Sequence, residues 1–194
     1  NTDNVLYVEP EDRLDSDVIT NGTMEADSDW ANSATPTANE RSSTHLFDSY
    51  SRHCVGDGAN DGITQTGLTI QGARVGHNSN WSGVYKAIGY VYVVSGTVKV
   101  KISDNAGQLV DTQVGTTNGG KWEDFKITTT STYEGAGTGS IIFYCSGGAG
   151  EFYIENVVVG EYGYGYYNYY TDLTDYNSGT QSYTILGPWR TEKI

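Results

Sequence analysis

The sequence predicts an all-β fold, a two-sheet antiparallel β-sandwich of jelly-roll type, on three observations. The composition, with Gly 25, Tyr 16 and a single Met, favours strands and tight turns, because aromatic and β-branched residues suit a pleated sheet and glycine supplies positive φ. From His45 to Val159 apolar runs alternate with turn residues at a spacing that yields about eight or nine short strands. The length of 194 residues holds one all-β domain of about 150 residues with flanking segments, and two separate cores are not expected.

The domain is expected over residues 19–160, between arms at 1–18 and 161–194. The first arm carries Val5-Leu6-Tyr7-Val8 and then Glu9, Pro10, Glu11, Asp12, Asp15 and Asp17. Residues 30–44, rich in Ser, Thr and Asn around Pro36, read as a long surface loop crossing between the sheets. Strands follow at 49–55 and 63–70, separated by Gly56-Asp57-Gly58-Ala59-Asn60-Asp61-Gly62. A long strand at 84–94 ends in Ser95-Gly96, two residues that suit a tight hairpin into a strand at 97–103. Asp104-Asn105-Ala106-Gly107 turns the chain into 108–114. Strands at 121–129, 140–146 and 151–159 complete the set, the last two joined by Gly147-Gly148-Ala149-Gly150.

Period-two alternation assigns the faces. Val98, Val100 and Ile102 point to the core while Lys99 and Lys101 meet water. In the strand before them, Ala87, Gly89, Val91 and Val93 share one face, and Lys86, Ile88, Tyr90 and Tyr92 share the other. Trp30 and Trp122 read as core residues.

Charge and motif content exclude several functions. A formal net charge of -13, with 11 Lys and Arg spread along the chain, gives no basic patch for nucleic acid. No run of about 18 apolar residues spans a membrane. Cys54 and Cys145 match neither a disulfide-rich scaffold nor a zinc site, and read as two buried thiols. A single disulfide is the alternative, and needs a Cα separation below about 7 Å. His45, His53 and His77 lack metal-ligand spacing, and no Gly-x-Ser-x-Gly accompanies them, so no catalytic residue is assigned and an enzyme is not expected. Acidic residues are plentiful, but nothing marks one pair for glycoside hydrolysis.

An ordered set of short matches carries a resemblance. Ile19-Thr20-Asn21-Gly22-Thr23-Met24-Glu25 opens the domain, with Trp30 following; Ser51 to Gly58 gives a strand and Gly-Asp-Gly turn. Tyr85 to Gly96 gives a long aromatic strand, Gly120-Lys121-Trp122 begins another, and Tyr153 to Val159 closes the domain. From about Ile19 to Val159 the chain resembles the carbohydrate-binding modules of families four, nine and twenty-two, jelly rolls related to galactose-binding domains. The chain departs from that pattern at Met24, where the family has Phe, and at Glu155-Asn156, where it has paired aspartates. The resemblance implies a structural calcium where the opening Glu approaches the last strand, so Glu25 with Glu155 or Asn156 is its expected site. Calcium takes six to eight oxygens, which carboxylates and amides supply.

Two functional expectations follow. A sugar ring presents an apolar face bordered by hydroxyls, and Tyr90 and Tyr92 beside Lys86, with Trp81 from the preceding loop, are the residues expected to bind it. Packing of these tyrosines against neighbouring strands, or under the C-terminal arm, is the competing reading. That arm holds Tyr162, Tyr164, Tyr166, Tyr167, Tyr169 and Tyr170 within ten residues. Ordering a chain costs about 1–2 kcal/mol per residue, and tyrosine is enriched at interfaces, so the arms are expected to order on their own domain or on other subunits of an assembly. The composite expectation is a non-catalytic structural or adhesive protein of an extracellular or virion surface, such as a capsid decoration or tail-associated component, with glycans as further partners. The alternative is the glycan-binding module of a polysaccharide-degrading enzyme.

Overall fold

The computed structural model describes residues 8–9, 14–71, 84–104, 107–129, 136–162 and 190–191. Every regular element among them is a strand: β1 (Val8–Glu9), β2 (Leu14–Asp17), β3 (Ala31–Ser33), β4 (Ala38–Ser42), β5 (Ser51–Gly56), β6 (Gly62–Gln71) and β7 (Tyr85–Ser95). These are followed by β8 (Thr97–Ser103), β9 (Gln108–Thr116), β10 (Trp122–Thr128), β11 (Ala136–Cys145), β12 (Gly150–Tyr162) and β13 (Arg190–Thr191). One sheet runs β10-β7-β12-β5-β4, with β2 added on β12, and the facing sheet runs β3-β6-β11-β8-β9. All pairings are antiparallel, as the sandwich prediction required.

The core lies between the two inner faces. Ala87, Val91 and Val93 of β7, Cys54 of β5, and Phe152, Ile154, Val157 and Val159 of β12 meet Ile63 and Ile70 of β6, Val98, Val100 and Ile102 of β8, and Ile141 and Phe143 of β11. All of these are buried, which confirms the alternation expected for β7 and β8. Phe143 anchors the contact between layers, its ring centroid 6.0 Å from that of Trp30 and 5.5 Å from that of Phe125. Full burial of such a side chain contributes about 1.5–3 kcal/mol.

β12 changes parity on the way through the sheet. Phe152 and Ile154 point inward on even numbers, whereas Val157 and Val159 point inward on odd ones. The switch is a β-bulge between Glu155 and Val158, where Asn156 adopts φ 49°. Gly89 sits opposite, and a Cβ there would lie 2.7 Å from the Phe125 ring and 3.2 Å from the Asn156 carbonyl oxygen.

The structure corrects three expectations. Ser95-Gly96 does not close a hairpin between adjacent strands: β7 and β8 belong to opposite sheets, and Gly96, at φ 82°, swings the chain across the sandwich. A side chain there would also press on Ala149 O at 3.0 Å. Within residues 30–44 the polar runs Ala-Asn-Ser and Ala-Asn-Glu-Arg-Ser form β3 and β4 at sheet edges, where period-two hydrophobicity is absent because little of the strand is buried. The first arm supplies β2 to the sheet, and β12 continues to Tyr162, so Leu14–Asp17 and Glu161–Tyr162 extend the sandwich beyond the expected borders. β1 and β13, from the two ends of the chain, pair with each other.

Buried polar groups fasten the loops at one end. Arg52, 6 % exposed, donates to Asn39 Oδ1 at 2.6 Å, Asp27 Oδ1 at 2.5 Å, and the carbonyls of Asn39 and Trp30 at 3.0 and 3.3 Å. Asp61 accepts from the Thr35 amide at 3.0 Å and the Gly58 amide at 2.9 Å. The Thr35 amide in the first place holds the Asp61 carboxyl below its ordinary 3.8; burial opposes this and the Gly58 amide adds to it.

Cys54 and Cys145 are buried free thiols, as read from the sequence. Burial first, then the neighbouring Cys145 and Asp61, pushes Cys54 up to about 12, and burial likewise raises Cys145. In the native protein at pH 8 neither thiol is expected to react with an aromatic disulfide reagent over a period in which the unfolded chain titrates both. One rapid native equivalent would contradict the buried geometry. For Asp61 the folded value is the lower one, so its contribution is present above the unfolded value near 3.8 and is lost as pH falls through the folded value. Asp61→Asn is therefore expected to flatten the fall in Tm as the pH drops below the unfolded value, measured against wild type.

Candidate ligand-binding face

The outer face of the β10-β7-β12-β5-β4 sheet carries the candidate site. Cα partners in an antiparallel pair present their side chains to the same face, so register alone generates transverse rows. Trp122 pairs with Tyr92, Tyr92 with Tyr153, Tyr153 with His53, and His53 with Glu40. One row across all five strands thus holds four rings and a carboxylate. The rings touch along its length: centroids are 5.7 Å apart for Tyr92 and Trp122, 5.6 Å for Tyr92 and Tyr153, and 4.4 Å for His53 stacked on Tyr153 at 14°. Trp122, Tyr92, Tyr153 and His53 are all half-buried, which leaves part of each ring on the surface.

Polar groups border the row. His53 Nε2 lies 3.0 Å from Glu151 Oε1, and its Nδ1 lies 3.4 Å from Glu40 Oε1, so the imidazole is held between two carboxylates. Burial, followed by the Glu151 carboxylate, raises the Tyr153 phenol above its ordinary 10.0 and keeps it a hydrogen-bond donor. Asp124 and Lys126 of β10 lie on the same face, in register with Tyr90 and Ile88.

The next row holds Asp124, Tyr90 and Glu155 in register. The segment between β4 and β5 lies over it. Glu155, fully buried, accepts the Leu46 amide through Oε2 at 2.6 Å and the Phe47 amide through Oε1 at 2.7 Å. Glu25 Oε1 accepts the Ser49 and Tyr50 amides at 3.0 and 2.9 Å. The Phe47 ring meets Tyr90 edge-on with centroids 5.0 Å apart, and Arg41 lies 3.9 Å over the Tyr50 ring.

Tyr90 and Tyr92 therefore stand on the face the sequence assigned to them, and Lys86 shares it four residues from Tyr90, buried and in register with Thr128 and Gly160. Trp81 and Tyr164, Tyr166, Tyr167, Tyr169 and Tyr170 lie outside the described residues. Tyr162 is the last residue of β12. Trp122, read as core, is instead on the outer face with Asp124 and Lys126, because Phe125 takes the inward position and reverses the parity. Tyr153 and His53 carried the same parity signal, since each alternates with buried neighbours, Phe152 and Ile154 or Arg52 and Cys54. The expected calcium residues serve the loop: both oxygens of Glu155 and one of Glu25 face amide N–H groups, while Asn156 forms the bulge. Amide donors meet these carboxylates where calcium would require oxygens of its own, so the set fits a loop clamp and does not fit the expected cage. Among the described residues no three His, Cys, Asp or Glu side chains gather as a metal group. A separate polar cavity of about 510 Å³ beside β6, lined by Asp17, Thr20, Asp29, Gln65 and Thr69 among others, has no aromatic residue in its lining.

No family model matches the chain, and no curated protein matches it in sequence. Solved structures match it in fold. The N-terminal CBM22-1–GH10 modules of Clostridium thermocellum endo-1,4-β-D-xylanase 10B, solved with xylohexaose, match at TM-score 0.55 and 17 % identity over 78 % of this chain and 29 % of that one. TmCBM61 in complex with β-1,4-galactotriose matches at 0.53 and 15 % over 75 % of this chain and 99 % of that one. The enzymatically active domain of bacteriophage CBA120 tailspike protein 4 matches at 0.53 and 20 % over 74 % of this chain. The match spans about a fifth, 21 %, of that tailspike chain. The fold is therefore the jelly roll of carbohydrate-binding modules. Glu25→Ala is expected to leave the Ser49 and Tyr50 amides without acceptors and to lower unfolding free energy by about 1–2 kcal/mol in urea titration, whereas no change would mean that water replaces the carboxylate.

Proposed function

We propose that the chain is a non-catalytic adhesive module of a larger extracellular or virion assembly, which holds a neutral glycan on the Trp122-Tyr92-Tyr153-His53 row. The row itself carries the reading. Half-exposed rings in contact along the row, edge-on and tilted to one another except where His53 stacks on Tyr153, offer an apolar surface, and the bordering Glu151, Glu40 and Asp124 offer acceptors for hydroxyls. The same carboxylates, in a chain of net charge -13, disfavour polyuronates and other anionic polymers.

The virion part of the proposal draws on the tailspike likeness, which is one of fold. The segments outside the sandwich, residues 1–13 and 163–194, are its proposed attachment to neighbouring subunits, with the tyrosines of the second segment as contact residues. A second reading, a glycan-binding module of a polysaccharide-degrading enzyme, draws on the match to a xylanase in which this fold adjoins a catalytic module. Both readings use the same face.

Titration calorimetry against xylohexaose, cellohexaose, β-1,4-galactotriose and an oligogalacturonate is the test. Binding to at least one neutral sugar is expected, with Tyr92→Ala and Trp122→Ala each weakening it by about 2 kcal/mol or roughly thirtyfold, the scale of an aromatic hot spot. Preference for the oligogalacturonate, or affinity untouched by both substitutions, would sink the assignment of this face.

A further inference from the structure

We infer that His53 is a proton-operated latch in the aromatic row: charged, it holds Glu151 and Glu40 at once, and on losing its proton it lets Glu40 go and loosens the grip on the glycan. The inference rests on the glycan-binding reading above and adds to it a control by pH. It begins with the hydrogen-bonding capacity of one ring. A neutral imidazole has one donor and one acceptor, an imidazolium has two donors, and a carboxylate only accepts. His53 presents Nε2 to Glu151 Oε1 at 3.0 Å and Nδ1 to Glu40 Oε1 at 3.4 Å. Both nitrogens face acceptors, so the arrangement is complete only with a proton on each. A neutral ring sets one lone pair against a carboxylate.

The two contacts are unequal, and that decides which one opens. Glu151 is the nearer and its side chain is 33 % exposed, whereas Glu40 is farther, 66 % exposed, and stands on β4, the edge strand of the sheet. A single remaining proton therefore stays on Nε2 toward Glu151, where water competes less, and Glu40 turns to solvent. Among the described residues no other cation replaces it. Arg41, next to Glu40, lies over the Tyr50 ring at 3.9 Å and donates to the Glu25 carbonyl at 2.7 Å, and Arg52, next to His53, is buried with Asp27 and Asn39. The other titratable group on the ring is Tyr153 of β12, which burial and then Glu151 hold above its ordinary 10.0 and so keep neutral. Glu155, two residues farther along β12, is occupied by the Leu46 and Phe47 amides.

The proton reaches the ligand through the rings. His53 lies on Tyr153 with centroids 4.4 Å apart at 14°, and Tyr153 meets Tyr92 at 5.6 Å. A cation over the face of a tyrosine is attracted by the ring quadrupole, so the charged imidazole fixes this end of the row. A carboxylate held through one oxygen also keeps the other in a fixed place for a sugar hydroxyl. Without the proton the stack loses that attraction and the ligand has to order Glu40 itself, which subtracts from affinity. Histidine ordinarily changes charge over roughly pH 5 to pH 8, so the row is firm in mildly acid water and slack in mildly alkaline water.

The experiment uses the full chain, wild type, His53→Phe and Glu40→Gln, with the neutral oligosaccharides above titrated by calorimetry across that pH range. Wild-type affinity is expected to fall about fivefold from the acid to the alkaline end, the low end of coupling between two sites. Phe keeps a flat ring on Tyr153 without a titrating proton. Gln accepts from Nδ1–H through its oxygen or donates to the Nδ1 lone pair through its NH₂, so both variants should change by about twofold or less. Imidazole ¹⁵N shifts give a readout that needs no sugar: two protonated nitrogens at the acid end, and one, Nε2, at the alkaline end. A His53 ring that is neutral at the acid end, a wild-type affinity equal or higher at the alkaline end, or a fall that persists in both variants would overturn the latch and leave the glycan reading standing. A wild type that binds none of the sugars at any pH would overturn the glycan reading, and the control of ligand with it, even where the nitrogen shifts show an imidazolium between its carboxylates.

Discussion

The change of parity in β12 is the constraint on which the arrangement depends. This strand is bonded to β7 and β5 on its two sides and to β2 near its end, so its residues decide what both faces of the sheet contain. A strand of strict alternation would have placed Val157 and Val159 outside with Glu155. The bulge at Asn156 instead returns both valines to the core and leaves the carboxylate on the outer face, one residue from Ile154. One αL residue thus supplies hydrophobic burial on one side and a buried acceptor pair on the other.

From that point the two halves of the molecule follow separate physical rules. The interior is closed by packing: Phe143, Trp30 and Phe125 interlock where the sheets meet, and the alternation in β7 and β8 is obeyed throughout. The outer face is arranged by register and hydrogen bonds, because among the described residues its side chains meet no second sheet. Tyr92, Tyr153, Trp122 and His53 come together only because four strands far apart in sequence are aligned within a residue of one another. A register slip in any of them would break the row even if the core residues found equivalent partners.

Carboxylates do much of the positioning in this acidic chain. Asp61 holds the turn before β6, Glu25 and Glu155 hold the segment before β5, and Asp17 accepts the Ile19 and Val159 amides at 2.9 and 3.1 Å. Each accepts backbone N–H groups that an irregular segment cannot satisfy from a neighbouring strand. The negative charge of the sequence thus has internal uses besides its effect on partners. Arg52 completes the pattern with the opposite sign, donating to two carbonyls and to the side chains of Asn39 and Asp27.

Sequence alone determined the fold class, most strand positions and the inward sets of β7 and β8, since these depend on local alternation and turn residues. It also placed Tyr90 and Tyr92 on one face, because parity within a single strand needs no knowledge of its neighbours. Tertiary structure decided the rest. The polar edge strands β3 and β4 exist because β6 and β5 offer them partners, and the chain crosses the sandwich at Gly96 because β10 and β12 occupy both edges of β7, where a hairpin partner was expected. Trp122 joined the face and left the core once Phe125 had taken the inward position. Glu155, legible in sequence only as half of an altered acidic pair, became the support of residues 46 and 47, 109 and 108 positions away, for the physical reason that a buried carboxylate is satisfied by whichever amides the fold delivers to it.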